Sequence, residues 1–295
     1  MNRLLVTGAT GFTGGYVVPL LRAHGYVVRC FVRPTSDLSR LSPHDIELVH
    51  GDLSDTAAFT RALMGCEALV NIASLGFGHA PGVVQSMLDA KVRRAVFVST
   101  TAVETRLNAA SKSVRLAAEE SIRSSSAAWT ILRPTMIYGS ARDRNMCRLI
   151  RYLRRWPVIP VFGTGNSLQQ PVYVADVAGA IVEALRSEKT IGKTYNISGA
   201  KAVTYNEVID TVARLMCRKV LKIHVPASPC VTLLTVLERI SRRLPLKAEQ
   251  VQRLNEDKCF DYGEAARDFD YHPRTVAAGL TEELKEMGLL RSAAS

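Results

Sequence analysis

The chain has 295 residues, enough for one large α/β domain or a domain with a smaller lobe. Its 47% apolar content is ordinary for a soluble protein, and no run of eighteen apolar residues predicts a transmembrane helix. Six scattered cysteines (Cys30, Cys66, Cys147, Cys217, Cys230, Cys259) form no CxxC pair, which argues for reduced thiols and against a metal site, while a net charge of +11 favours anionic partners.

A short apolar run, Leu4 to Val6, predicts a buried strand at the start of the chain and leaves no room for a signal peptide. It runs into Thr7-Gly8-Ala9-Thr10-Gly11-Phe12-Thr13-Gly14, three glycines at three-residue spacing. A helical pattern follows, with Val17, Val18, Leu20 and Leu21 apolar. The first glycine permits a tight turn, the second lets backbone approach a pyrophosphate, and the third allows close helix–strand packing. The helix N-terminus supplies amide donors and a positive dipole. Gly8, Thr10, Gly11, Phe12, Thr13 and Gly14 are therefore candidate cofactor contacts.

This TGxxGxxG spacing resembles the short-chain dehydrogenase/reductase superfamily, whose extended and atypical members read TGATGF-x-G at this place, as the chain does. The resemblance implies a Rossmann-type α/β fold, a doubly wound parallel sheet that binds a nicotinamide dinucleotide. It implies one NAD(P)-binding domain over 1–295, with segments at about 140–170 and 200–295 forming a small C-terminal substrate lobe.

Strand two, Tyr26 to Val32, ends in Arg33-Pro34. An acid at this strand end accepts from the ribose hydroxyls of NAD, whereas an arginine suits the extra phosphate of NADP. The chain has Arg33 and no acid until Asp37, which points to NADPH in preference to NAD. Strand three, Ile46 to His50, leads to Gly51-Asp52-Leu53-Ser54-Asp55, where the resemblance makes Asp52 and Leu53 adenine contacts. Asp55 reads as the cap of a helix from Thr56 to Leu63. Strand four is Ala68 to Ala73, and by resemblance Ala73 and Ser74 pass beside the cofactor phosphates and ribose. Gly76, Gly78 and Pro81 mark a loop before a helix from Val83 to Lys91. Strand five is Ala95 to Ser99. Strict alternation of strand and helix implies a parallel sheet with its site at the strand C-termini.

Strand five ends in Ser99-Thr100-Thr101, where the superfamily carries a serine pair or triplet. Ser99 falls on the cofactor side, and Thr101 matches the hydroxyl that orients the substrate carbonyl. The next helix should bring a tyrosine and a lysine spaced YxxxK, one turn apart, so that the ammonium lowers the phenol pKa. The chain departs from this pattern: no tyrosine occurs between Tyr26 and Tyr138. Either Asn108 and Lys112 or Ser111 and Arg115 occupy the two positions. Lys112 is a candidate donor or ribose anchor; the plain alternative is a solvated helix lysine.

Strand six, Trp129 to Leu132, ends in Arg133-Pro134-Thr135-Met136-Ile137-Tyr138-Gly139, which resembles the family's RPxxxYG segment. By that resemblance Pro134 and Ile137 sit against the nicotinamide, and Tyr138 is a substitute acid. Arg148, Arg151 and Arg155 recur at helical spacing, as an anion-binding face or a solvated one. Gln170 to Ala178 resembles the family's PVHVDDVA stretch, with Tyr173 toward the substrate cavity and Asp176 as a helix cap. Tyr195 to Gly199 reads as a strand, Thr204-x-x-Glu207 as a capping box before a helix from Glu207 to Met216, and Val220 to Val225 as a strand. From Cys230 to Leu244 Leu233, Val236, Leu237 and Ile240 share one face, with Arg239, Arg242 and Arg243 behind. This is either a lobe helix packed on the core, or a lid or membrane-surface contact.

The resemblance implies an atypical reductase or isomerase/epimerase using NADPH on a small or lipophilic carbonyl-type substrate, while the reduced thiols imply a cytoplasmic setting and the net charge allows an anionic substrate. No nucleic-acid partner is expected; a peripheral membrane or protein partner is. The missing phenol opens a second reading, a non-catalytic NADPH-binding accessory, assembly or sensor protein. The chain also resembles the dehydrogenase-like accessory subunit of respiratory complex I and NmrA-like proteins.

Overall fold

A computed structural model describes residues 3–41, 45–105, 110–143, 145–240 and 247–290. The first half of the chain forms β1 (Arg3–Thr7), α1 (Gly14–Ala23), β2 (Val27–Val32), β3 (Glu47–His50), α2 (Thr56–Leu63), β4 (Ala68–Asn71), α3 (Ala80–Asp89), β5 (Arg94–Val98), α4 (Ala110–Arg123) and β6 (Ala128–Pro134). Then come β7 (Ile137–Tyr138), α5 (Met146–Arg155), β8 (Val158–Phe162), β9 (Leu168–Gln169), β10 (Val172–Tyr173), α6 (Val174–Arg186) and β11 (Lys193–Ile197). The chain continues with β12 (Val203–Thr204), α7 (Tyr205–Leu215), β13 (Leu221–Val225), α8 (Ala227–Ile240), α9 (Ala248–Leu254), α10 (Gly263–Phe269) and α11 (Val276–Glu286). Two compact units result. Unit 1 holds Met1–Thr135, Val174–Ser198 and Asp261–His272; unit 2 holds Met136–Tyr173, Gly199–Phe260 and Pro273–Ser295.

Unit 1 is built on a seven-stranded sheet ordered β11-β6-β5-β4-β1-β2-β3, parallel throughout. The expected doubly wound α/β sheet is therefore present. A sheet covered on both faces needs strands that are apolar nearly end to end. Leu4, Leu5 and Val6 of β1, Leu69 and Val70 of β4, and Val96 and Phe97 of β5 meet that need and are buried. Phe31, Phe59, Leu63, Met87, Ile122 and Ile131 join Leu5, Leu69 and Phe97 in one core under α2, α3 and α4, while α1 packs with α6. The strand order reverses between β1 and β4, so the crevice beyond their C-terminal ends is the switch point where such sheets bind ligands.

Local chemistry sets the element ends. Asp55 caps α2, accepting from the Ala58 N–H at 2.9 Å. The Thr204–Glu207 capping box forms as read, but α7 begins at Tyr205, because the box puts Thr204 at the cap and Glu207 two residues inside the helix start. β4 stops at Asn71, two residues short of the expected Ala73. There the Asn71 side chain bonds across to Thr7 and forward to the Ala73 carbonyl, which bends the chain out of the strand.

In unit 2, β7 pairs with β10, β9 with β12, and β8 with β13. α7 packs with both α5 and α11, burying Met146, Ile150, Leu153, Val208, Val212, Leu280 and Leu284. Glu283 of α11 is fully buried, and burial together with the neighbouring Asp143 carboxyl pushes its pKa up to about 10. The reading of Cys230 to Leu244 as a helix packed on the core needs correction over its described part. α8 packs with α9 but buries none of its described side chains, leaving Leu233 and Val236 exposed. Arg242, Arg243 and Leu244 lie outside the described residues. Among the described residues no helix is long and apolar enough to cross a membrane.

Candidate functional site

The glycine turn lies where β1 ends, at the switch point of unit 1. Gly8 has φ +68°, a backbone that side chains with a Cβ resist, and a Cβ there would stand 2.7 Å from the Ala73 nitrogen. A Cβ on Gly14 would stand 2.3 Å from the Gly8 carbonyl oxygen and 2.5 Å from that of Ala9. These two glycines let the turn fold on itself and against the β4 exit. Gly11 differs: it is exposed, and its Cβ would meet only the Gly8 oxygen, at 3.1 Å. Its open side is what a close-approaching pyrophosphate requires. α1 then starts with Thr13 at the cap, no side-chain cap bond and no acid in its first turn. The positive end of the helix is left facing the turn, so the residues present fit a dinucleotide.

A pair the sequence reading missed fixes this turn. The buried Thr7 hydroxyl donates to Asn71 Oδ1 at 2.8 Å, and the Ala73 N–H reaches Thr7 Oγ1 at 3.3 Å. The segment with Ala73 and Ser74 is thereby held against the glycine turn. Ser74 Oγ accepts from the Gly76 N–H at 3.2 Å, which tightens the bend that follows. Phe12 is half-buried, with its ring edge-on to Tyr16 at 6.0 Å. Arg40, also missed, packs its guanidinium over Tyr16 at 5.6 Å and beside Gly15. It follows β2 by eight residues with no motif to announce it.

Arg33 leaves the end of β2 exposed, close enough to Asp52 to act on its charge. Asp52 sits below the usual carboxylate range, chiefly because Ser54 donates to it from both hydroxyl and backbone, with His79 and Arg33 adding positive charge. Leu53 is half-buried and packs on the core beneath α2 and α3. Arg33, Asp52 and His79 form a mixed-charge rim beside the strand that carries the glycine turn; His79 was not foreseen.

At the ends of β5 and β6 the structure brings Ser99, Thr101 and Pro134 together. The Thr101 hydroxyl points to the Pro134 carbonyl at 3.4 Å, long for a hydrogen bond. Ser99 donates to Glu119 Oε1 at 2.6 Å, so its hydroxyl is committed to the core side of α4. Glu119 is fully buried and also accepts from Arg133 and Arg123, while Glu104 pairs with Arg133 at 2.8 Å. Burial alone would raise the Glu119 pKa; bonds from Arg133 and Ser99 and the charge of Arg123 outweigh it, and the carboxyl lies below its ordinary range. This network clamps α4 to the ends of β5 and β6.

On α4 the polar groups of both possible registers find partners among the described residues. Arg115 Nη1 donates to Ser111 Oγ at 2.6 Å, and the guanidinium lies against Gly76. Lys112 Nζ donates to the Thr105 carbonyl at 2.6 Å. Asn108 lies outside the described residues.

Two candidates belong to unit 2. Ile137 is half-buried on β7 opposite Val172. Tyr138 is 1% exposed, its hydroxyl donating to the Val276 carbonyl at 3.3 Å and its ring edge-on to Tyr173 at 5.8 Å. A phenol held this way is placed as a packing residue. Tyr173 is itself buried, with the Arg274 guanidinium 4.6 Å from its ring centre.

Residues 8–188 match the NAD(P)H-binding family, more than half of the chain. Over 277 residues the chain is 26% identical to NADH dehydrogenase (ubiquinone) 1 alpha subcomplex subunit 9, mitochondrial, of Dictyostelium discoideum, covering 88% of this chain and 77% of that protein. It spans 56% of the length of the proteins of that name in Arabidopsis thaliana and Mus musculus. It is 27% identical to a ceramide reductase of Caulobacter vibrioides, covering 75% of this chain and 73% of that one. The crystal structure of a dTDP-glucose 4,6-dehydratase from Bacillus anthracis superposes with a TM-score of 0.77 over 98% of this chain and 97% of that chain, at 17% identity, a likeness of fold. With its glycine turn at the switch point of a seven-stranded parallel sheet, the chain belongs to the NAD(P)H-binding family.

Proposed function

We propose that unit 1 binds NADPH and keeps it as a structural or redox-sensing constituent, without reducing a carbonyl by the tyrosine–lysine route. The amides at the start of α1 would hold the pyrophosphate, Arg33 and Asp52 would face the adenosine ribose and adenine, and the segment with Ala73 and Ser74 would pass beside the phosphates. By resemblance the nicotinamide would lie near Thr101 and Pro134, where the bound cofactor would supply a hydride. The observation that carries the non-catalytic reading is that α4 holds no phenol: of the candidate positions, Ser111 accepts from Arg115 and Lys112 donates to the Thr105 carbonyl. No tyrosine stands on that helix to give a proton. A relative that is by name a subunit of a larger assembly is consistent with this reading.

A second reading is a reductase of lipophilic carbonyl compounds, supported by Thr101 at the end of β5 and by similarity to a protein named ceramide reductase. In it Lys112 would leave Thr105 and donate the proton. Incubating the protein with NADPH and a panel of carbonyl and enone compounds, long-chain ketones included, separates the two. The expected result is saturable enhancement of NADPH fluorescence with no oxidation. Substrate-dependent NADPH loss that drops roughly 10²–10⁴-fold in Lys112→Ala would replace the first reading with the second.

A further inference from the structure

In a two-stranded ribbon alternate side chains face opposite ways, and the solvated set is normally polar. The β8–β13 ribbon of unit 2 departs from this. Its register sets Leu221 opposite Val158, Ile223 opposite Pro160 and Val225 opposite Phe162. One face therefore carries six apolar side chains and no polar one. None of the six is buried; Leu221 is 62% and Ile223 50% exposed. The opposite face holds the buried Ile159 and Val161, and Lys222 on that side bonds to Asp210 of α7. The ribbon thus turns its apolar face to solvent.

An aromatic and cationic rim adjoins it. Trp156, two residues before Val158, is 52% exposed, with the Arg155 guanidinium 5.6 Å from its ring. Tyr152 is exposed one turn earlier. Arg218 donates to the Arg154 carbonyl, which ties the lead-in of β13 to the end of α5. Arg154, Arg155, Arg218 and Lys219, within four residues of the starts of β8 and β13, are all exposed. Segments 144–175 and 211–237, which contain both strands, hold nine Lys and Arg residues and no Asp or Glu.

Single exposed apolar residues need no explanation, but a contiguous apolar face rimmed by cations marks an interaction site. The charge selects the occupant. A second copy of the same face would bring like charges together. A bilayer surface with anionic headgroups meets both features: aliphatic side chains and Trp enter the headgroup–acyl boundary while Arg and Lys stay at the phosphates. We infer that the outward face of the β8–β13 ribbon docks on an anionic lipid bilayer. All its residues lie in unit 2, so the inference stands apart from the nucleotide reading.

The full chain is sedimented with phosphatidylcholine vesicles, with and without phosphatidylserine, while tryptophan emission is recorded. The expected result is binding to the serine-containing vesicles alone, with a blue shift that Trp156→Phe abolishes. Leu221→Asp with Ile223→Asp lowers the partition about tenfold or more, leaving NADPH fluorescence and thermal melting unchanged. If that double variant melts early, Arg154→Ala with Arg155→Ala serves as the second arm and must weaken binding to anionic vesicles. Absence of binding, equal binding by the variants, or a dimer in light scattering that Leu221→Asp with Ile223→Asp converts to monomer would overturn the inference.

Discussion

On the function proposed above, the choice of nucleotide rests on one guanidinium, that of Arg33. It stands exposed at the end of β2, with Asp52 close by already held by Ser54. A guanidinium makes paired, charge-assisted bonds to a phosphate and offers nothing to accept from ribose hydroxyls. A charged bond is worth about 1.5–3 kcal/mol, so NADPH should bind roughly 10- to 150-fold tighter than NADH. Arg33→Ala should remove most of that margin and leave NADH nearly unchanged. Calorimetric titration checks this, and equal affinities in the unmodified protein would sink it. Glu283 poses a different test. Its folded pKa of about 10 lies above the ordinary glutamate value. Its contribution is therefore complete below the unfolded pKa and is lost as pH rises toward the folded one. Glu283→Gln has no proton to lose, so it should melt above the unmodified protein at about pH 9, with the gap closing toward about pH 5. Parallel melting curves would place the effect elsewhere. The place of Arg33 was legible because the glycine motif dictates where the end of strand two must be. Glu283 and Glu119 were not: each reads as an ordinary helix acid, since the partners that bury them come from distant parts of the chain.

At the scale of elements, the β1–α1 turn separates two uses of glycine that a motif treats alike. A Cβ on Gly14 would overlap backbone oxygens, which cannot swing aside. Gly14→Ala should therefore push α1 off β1 and lower both thermal stability and NADPH binding. Gly11 has room for a methyl group with a shift of a few tenths of an ångström. Gly11→Ala should leave the melting temperature nearly unchanged while blocking the phosphate approach and weakening NADPH binding. Differential scanning fluorimetry with and without cofactor reads both, and matching losses of stability in the two variants would refute the division. Most elements of unit 1 were legible because buried parallel strands are short apolar runs and caps are local. The exit of β4 was not, because it depends on Asn71 meeting Thr7 from another strand. The exposure of α8 was hidden too: apolar periodicity names a face without naming what covers it.

For the whole molecule, strand–helix alternation spells out a doubly wound sheet one neighbour at a time, so its architecture could be read from the sequence. The partition into units could not. The chain crosses from one unit to the other after Thr135, Tyr173, Ser198, Phe260 and His272, and no change of composition marks those points. This threading governs how the protein is made. β11 is the outermost strand of the sheet and pairs with β6, yet all of Met136–Tyr173 and α6 lie between them in the chain. During synthesis the ribosome releases β6 with its outer edge unpaired, and that edge stays open until Lys193 to Ile197 emerge. An open edge accepts strands from other chains as readily as its own. The nascent protein thus passes through a vulnerable interval whose length is set by the excursion into unit 2, and the last helix of unit 1, α10, arrives only after most of the chain has been translated.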